Sequence, residues 1–249
     1  MNTKPITGLY LLVFLSALPV RAQESRWFLS ASAGVSLLPL KQVNEDNERD
    51  IQGWNELGVP IKPFPALNTA YFLSGKVMYR FSPYGAFSLA VSKFSREVQT
   101  EYTDQNITLM MRRSVGSADL TAGVIQYLPQ ILYPAEWYVE LRIGYADARA
   151  RAEAHSTLSV EIDDTTLVGM LVDSDAVYSK TKSFAAVGVG MKIPLVSPLV
   201  MSAEVHYKNI LVGNMEGEVT EFGEEYTEVS SIKFDYSGLF ICVGLGVEF

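Results

Sequence analysis

From Trp27 onward, apolar residues recur at every second position, the spacing of a strand whose two faces meet different surroundings. The run WFLSASAGVSLL puts Trp27, Leu29, Ala31, Ala33, Val35 and Leu37 on one face and Phe28, Ser30, Ser32, Gly34 and Ser36 on the other. The same alternation returns in YFLSGKVMYRF, AFSLAVSK, SADLTAGVIQYL, WYVELRIGY, FAAVGVGMKI, LVMSAEVHYK and the closing LFICVGLGVEF, which makes eight strands. Their connections alternate in length. Ser82-Pro83-Tyr84-Gly85, PQILYPAE and PLVSP are tight turns with Pro where no ladder donor is needed, whereas residues 39–69, 95–114, 148–182 and 209–230 form long polar connections. A compact domain in water seldom carries four such loops on one side.

Alternation does not say which face is outside, because a ligand-binding barrel in water alternates in the opposite sense. The polar face decides: it is mostly Gly, Ser and Ala with a few charges, which suits a narrow, crowded lumen. The apolar face is nearly free of charge, and its aromatics gather at the strand ends. Trp27, Tyr79, Phe81, Phe87, Trp137 and Phe249 fall beside the short turns, and Tyr71, Tyr145 and Tyr207 toward the long loops. Two aromatic girdles around an aliphatic band match the two interfaces of a bilayer, and a sheet that crosses one must close, since every backbone polar group needs a partner there.

With these features the chain resembles the small outer-membrane β-barrel proteins of Gram-negative bacteria, the group of the OmpA transmembrane domain, OmpX and OmpW. The expected fold is all-β: a closed, antiparallel, up-and-down transmembrane barrel of eight strands, or ten if the third long loop re-enters the bilayer. The resemblance implies short periplasmic turns, long extracellular loops and location in the outer membrane. It also implies that Leu239, Ile241, Val243, Leu245, Val247 and Phe249 form the signal read by the barrel-assembly machinery. The peptidoglycan-binding domain of full-length OmpA has no counterpart here, so tethering to the cell wall is not expected.

Composition adds a compartment. Lys4, an apolar stretch from Gly8 to Leu18, then Pro19 and Val20-Arg21-Ala22 have the layout of a secretory signal peptide, giving residues 1–22 as signal and 23–249 as barrel, exported through Sec. Cleavage removes Lys4 and Arg21 and takes the formal charge from -8 to -10, which argues against a nucleic-acid partner. The single Cys242 excludes an internal disulfide and reads as a small buried filler.

The candidate chemistry lies in the lumen and the loops. Lys76, Arg80, Arg142 and Lys192 share the inward face with Asp119, Glu140, Glu204 and Glu248, a balanced set expected to pair and plug the barrel. Gly188, Gly190, Gly244 and Gly246 make room opposite bulky lumen side chains. The two histidines, His155 and His206, stand in no hydrolase or metal-site pattern, so no enzyme, cofactor or metal is expected. Glu216, Glu218, Glu221, Glu224, Glu225 and Glu228 make the fourth loop acidic, either a solvated face or an attractor of divalent cations beside lipopolysaccharide. Trp54, Phe64 and several prolines suit the first loop to contacting a partner or folding over the mouth. The functional expectation is a structural or interacting role at the cell surface, with membrane lipids, lipopolysaccharide and an unidentified extracellular ligand as partners. The alternatives are a porin-like channel for ions or small hydrophobic molecules and, third, a lipid- or peptide-modifying enzyme.

Overall fold

The computed structural model describes residues 26–129, 134–162 and 165–249; the expected signal peptide lies outside the described residues. Among the described residues, twelve strands and one long helix follow in the order β1 (Arg26–Leu37), α1 (Lys41–Glu56), β2 (Thr69–Ser82), β3 (Gly85–Thr103), β4 (Ile107–Tyr127), β5 (Glu136–Ile162), β6 (Thr165–Val196), β7 (Leu199–Asn209), β8 (Leu211–Gly213), β9 (Glu216–Glu221), β10 (Glu224–Val229), β11 (Phe234–Asp235) and β12 (Gly238–Glu248).

Eight of these strands form a ring. Strands β1 to β7 pair in sequence, each antiparallel to the next, β7 pairs with β12, and β12 returns to β1 through ten residue pairs from Phe28↔Glu248 to Leu37↔Leu239. The Trp27 and Phe249 main chains exchange two further hydrogen bonds, at 2.7 and 2.9 Å. The ring therefore has no free edge along the apolar band, the condition for crossing a bilayer with strands. Leu73, Leu89, Leu120, Leu141, Ile143, Val187, Val243 and Leu245 stand exposed on its outer face. The aromatics fall in rows: Trp27 opposes Tyr79, and Tyr79 opposes Phe87. At the other end Tyr71 opposes Val35, Tyr145 opposes Leu120 and Tyr207 opposes Leu239.

The long connections are more ordered than polar loops. β5 has 27 residues and β6 has 32, against the ~9–11 that cross a bilayer. β3 and β4 likewise stay paired out to Thr103↔Thr108. Their turn is held by Asp104, whose Oδ1 accepts the backbone N–H of Asn106 at 2.8 Å and of Ile107 at 2.6 Å. Those bonds hold its carboxyl below the ordinary carboxylate range. The third loop does not re-enter the barrel: it is a hairpin continuing β5 and β6, and the β9–β10 hairpin adds to the free edge of β6 at residues 174–179.

Polarity inverts where these walls leave the apolar band. The outward row turns polar at Lys93, Asp147 and Thr181, in register across the sheet through Ala118, while the inward positions become Phe94, Val98, Val115, Ala146, Ala148 and Ala150. The inward apolar surface is covered by the first loop. Leu38, Leu40, Val43 and Leu67 join one cluster with it, and Ile51, Val59 and Ile61 join a second with Leu109 and Met111. Helix α1 supplies Val43, Asn47 and Ile51 as its buried stripe. It ends at Glu56 with Leu57 as its cap, followed by Gly58 at φ 86°, a left-handed backbone that glycine adopts without steric cost.

Candidate functional site

Inward-pointing charges fill the lumen in three successive layers, each electrically neutral. Nearest the short turns, Arg80 makes a two-pronged bond to Glu136 at 2.9 and 3.2 Å, and Lys192 reaches Glu136 at 3.0 Å and Glu248 at 3.6 Å. The Arg80 guanidinium also sits 3.8 Å over the Tyr127 ring. In the middle, Lys76 Nζ lies 2.9 Å from Glu140 and 2.6 Å from Glu204, and Arg142 Nη2 lies 2.5 Å from Glu140 and 2.7 Å from Glu204. The Tyr138 hydroxyl donates to Glu204 at 2.7 Å and the Ser88 hydroxyl to Glu140 at 2.5 Å. Toward the outer mouth, Lys208 meets Asp119 at 2.6 Å and Ser92 at 3.1 Å, and Ser117 donates to Asp119 at 2.5 Å.

Such arrangements answer the cost of removing ions from water, several kcal/mol each when unpaired. All eight charged positions singled out in the sequence lie in these layers. Two further members, Glu136 and Lys208, were not in that set, although the alternation puts Lys208 on the inward face beside Glu204 and His206. Glu136 sits where the sequence reads as a turn, and the partner of Lys208 is set by the stagger of strands across the lumen, which no single strand encodes.

Above the charges lies an aromatic layer. His206 stacks on Phe240 with ring centroids 5.5 Å apart and planes 4° apart, Phe72 and Phe94 pack edge-on against the same ring, and Lys208 Nζ is 4.2 Å over it. His206 Nδ1 has no hydrogen-bond partner. A Cβ built on Gly190 would collide with the Tyr138 ring, one on Gly188 with His206 and one on Gly246 with Phe28; on Gly244 it would meet the smaller Ser32 and the Ala31 carbonyl. Cys242 is buried and unpaired.

Outside the band the walls are tied by an ion-pair ladder on their water-facing side. Arg112 bridges Glu97 at 3.2 Å and Glu153 at 3.5 Å, and Arg151 bridges Glu153 at 2.7 Å and Asp175 at 2.6 Å. His155 Nδ1 lies 2.7 Å from Asp173 on the outer hairpin, far from His206 in sequence and in layer. The six glutamates of the fourth loop are all exposed on β9 and β10, with Glu221 directly opposite Glu224. Among the described residues, no group of three or more His, Cys, Asp or Glu side chains is placed to hold a metal ion. Trp54 is half-buried against the cluster of Ile51, Leu109 and Met111.

A closed antiparallel ring of eight strands with an apolar outer band and a charged interior defines a transmembrane β-barrel. No protein-family model matches the sequence, and no curated protein matches it. Solved structures do. The chain is similar to a major outer membrane protein from Thermus thermophilus (TM-score 0.52, 9% identity, 91% of this chain and 100% of that one). It also matches OprG from Pseudomonas aeruginosa (0.49, 10%, 90% and 96%) and Ail of Yersinia pestis in complex with the heparin analogue sucrose octasulfate (0.43, 13%, 91% and 100%). The fold is that of the small outer-membrane β-barrel proteins.

Proposed function

We propose that the chain is an integral outer-membrane barrel whose lumen is plugged by its own side chains and whose work is done by the assembly outside the bilayer, as a structural and interacting element of the cell surface. The observation that carries this reading is the neutrality of every charged layer. An ion path needs charges that bind weakly enough to release what they bind, whereas Lys76 and Arg142 are each committed to both Glu140 and Glu204 at 2.9 Å or less. The stacked aromatics and the first-loop clusters then cover the outer end of the lumen. Residues 1–22 direct export, and Leu239, Ile241, Val243, Leu245, Val247 and Phe249 direct insertion by the barrel-assembly machinery. Lys93, exposed just beyond the apolar band, is suited to a lipopolysaccharide phosphate. The fourth-loop glutamates act as a diffuse acidic face that gathers counter-cations rather than as a ligand set. The role is not enzymatic: His206 serves the aromatic layer and His155 pairs with Asp173, and the parent and the alanine variant at either position are expected to leave lipid A and peptide substrates equally untouched.

The test is planar-bilayer conductance of the folded protein, with folding verified by a heat-modifiable gel band. A silent bilayer is expected; steady, reproducible channels overturn the plug and put transport in its place.

A further inference from the structure

Just beyond the apolar band the wall is interrupted beside β6. β9 pairs with β6 at residues 174–179 and β7 pairs with it from Ala185 onward, so Lys180 to Phe184 have no strand beside them on that edge. After Asn209 the chain turns away to pair β8 with β11. By the strand alternation Lys182 belongs to the inward side with the buried Phe184, yet it is exposed, because the missing neighbour opens that side of β6 to the surroundings.

Lys182 lines a cleft of about 910 Å³ on the outer wall, together with Leu89, Ile143 and the exposed Leu211. A second cleft of about 730 Å³, lined by Leu73, Val91 and Lys93, adjoins it; Leu120 and Tyr145 border both. Each has the size of a small-molecule site, ~300–1,000 Å³. Leu73, Leu89 and Val91 stand exposed on the lipid-facing band, so an occupant enters from the bilayer and brings hydrocarbon with it.

The polar ends of the clefts hold uncommitted cations. Neither Lys93 nor Lys182 has a hydrogen bond or ion pair among the described residues, whereas Lys76, Lys192 and Lys208 in the lumen are all paired. The two lysines are level. Lys93 opposes Ala118, Ala118 opposes Asp147, and Asp147 opposes Thr181, the neighbour of Lys182. Arg149 answers Asp147 at 2.8 Å, so two positive charges are left over along this row. Three strand spacings of ~4.8 Å set the two lysine backbones ~14 Å apart. A single phosphodiester meets one of them. A disaccharide with a phosphate at each end meets both, and the flexible lysine stems take up the remainder.

We propose that this wall holds one molecule of lipid A, the acylated disaccharide phosphorylated at both ends: one phosphate lies on Lys93 and the other on Lys182, the sugars cross Tyr145, and acyl chains descend the two clefts. The site rests on the lipopolysaccharide contact proposed above, to which it gives a place and a stoichiometry, and it is independent of the plug.

The test is native mass spectrometry of the folded full chain released from detergent, with lipid A, its monophosphorylated form, its fully deacylated bisphosphate and phosphatidylglycerol as probes. One lipid A adduct is expected, with phosphatidylglycerol and the monophosphorylated form retained about ten-fold less and the deacylated form lost. Lys93→Gln and Lys182→Gln, at exposed positions that keep the heat-modifiable band, each weaken retention about five-fold and together about ten-fold or more. Lys62→Gln with Lys233→Gln removes the same charge at exposed positions outside both clefts and is expected to leave retention unchanged. Equal retention of the monophosphorylated form or of phosphatidylglycerol, retention of the deacylated form, or equal losses from the two double variants overturns the site and leaves only a general attraction between lysines and anionic lipid. Absence of any lipid A adduct overturns the lipopolysaccharide contact as well. Conductance on the same preparations reads the plug separately: channels sink the plug and leave the site standing.

Discussion

Replacing Lys76 by Met tests whether the middle layer is sealed from water. Lys76 is 4% exposed, its partners Glu140 and Glu204 have side chains 3% and 11% exposed, and the contacts are 2.9 and 2.6 Å. At an effective dielectric of about 20, each contact amounts to ~6 kcal/mol of gross Coulomb attraction. Most of that offsets the several kcal/mol needed to desolvate each ion. Methionine removes the attraction and leaves two carboxylates sharing Arg142 alone, a net charge of about −1 in a buried layer. Deleting one member of a buried ionic set costs about 3–5 kcal/mol, and that loss is expected here in urea unfolding of the barrel in lipid vesicles. Lys76→Met with Glu204→Gln restores neutrality through Arg142 and Glu140 and is expected to regain at least half. Equal stability of the single variant and the parent, to within about 0.5 kcal/mol, would mean that water already solvates the layer. The neutral-plug reasoning would then fail along with the number.

Three further outcomes follow from packing and solvent. Gly190→Ala drives a methyl group into the fully buried Tyr138 ring, and the overpacking is expected to cost about 1–3 kcal/mol in the same unfolding assay. Leu141→Arg places a cation midway between Trp137 and Tyr145 on the lipid face, where it is expected to cost about 2–4 kcal/mol. Gln99→Arg, on the same outward face beyond the band, is expected to stay within about 0.5 kcal/mol, and similar losses for the two would place the band wrongly. The Asp104 turn is expected to loosen in acid. Because its carboxyl is depressed in the folded state, its stabilisation is full above the ordinary value of 3.8 and fades as pH falls through the lower folded value. Amide exchange at Ile107 reads this directly, and Asp104→Ala is expected to abolish the pH step.

The barrel was legible because two solvents write opposite rules on the two faces of one strand. Leu89 and Leu141 face lipid, Ser88 and Arg142 face the lumen, and nothing else in a sequence alternates with that chemistry for so many strands. The outer walls were harder to read for the same reason. Past Lys93 and Asp147 the outer solvent becomes water, so the outward residues turn polar and the inward ones apolar. The period stays at two while the phase reverses, and a search for one continuous lipid face takes that reversal for a loop. Helix α1 was hidden by its own stripe: Val43 and Ile51 are four residues either side of an asparagine, too few apolar positions to announce a helix.

The reversal also explains why charges plug the lower half of the tube and not the upper. Inside the bilayer the outer surface must be apolar, so the lumen receives the polar residues, and with little water in a narrow tube they must satisfy one another. Beyond the bilayer the outer surface satisfies its charges in water, through the Glu97–Arg112–Glu153–Arg151–Asp175 ladder. The interior is then free to pack like an ordinary core, and Val98, Leu109, Met111 and Val115 do so against the first loop. In that apolar interior a polar side chain no longer has a neighbour by default. Asn47 is therefore informative where Ser88 is not: Ser88 donates to Glu140 within the lumen network, whereas the Asn47 amide is buried with its Nδ2 unmatched. Burying such a group costs about 1–3 kcal/mol, and Asn47→Leu is expected to raise stability by about that amount. A variant that loses stability would show that the amide serves the packing instead, and the reasoning from its unmatched Nδ2 would fail.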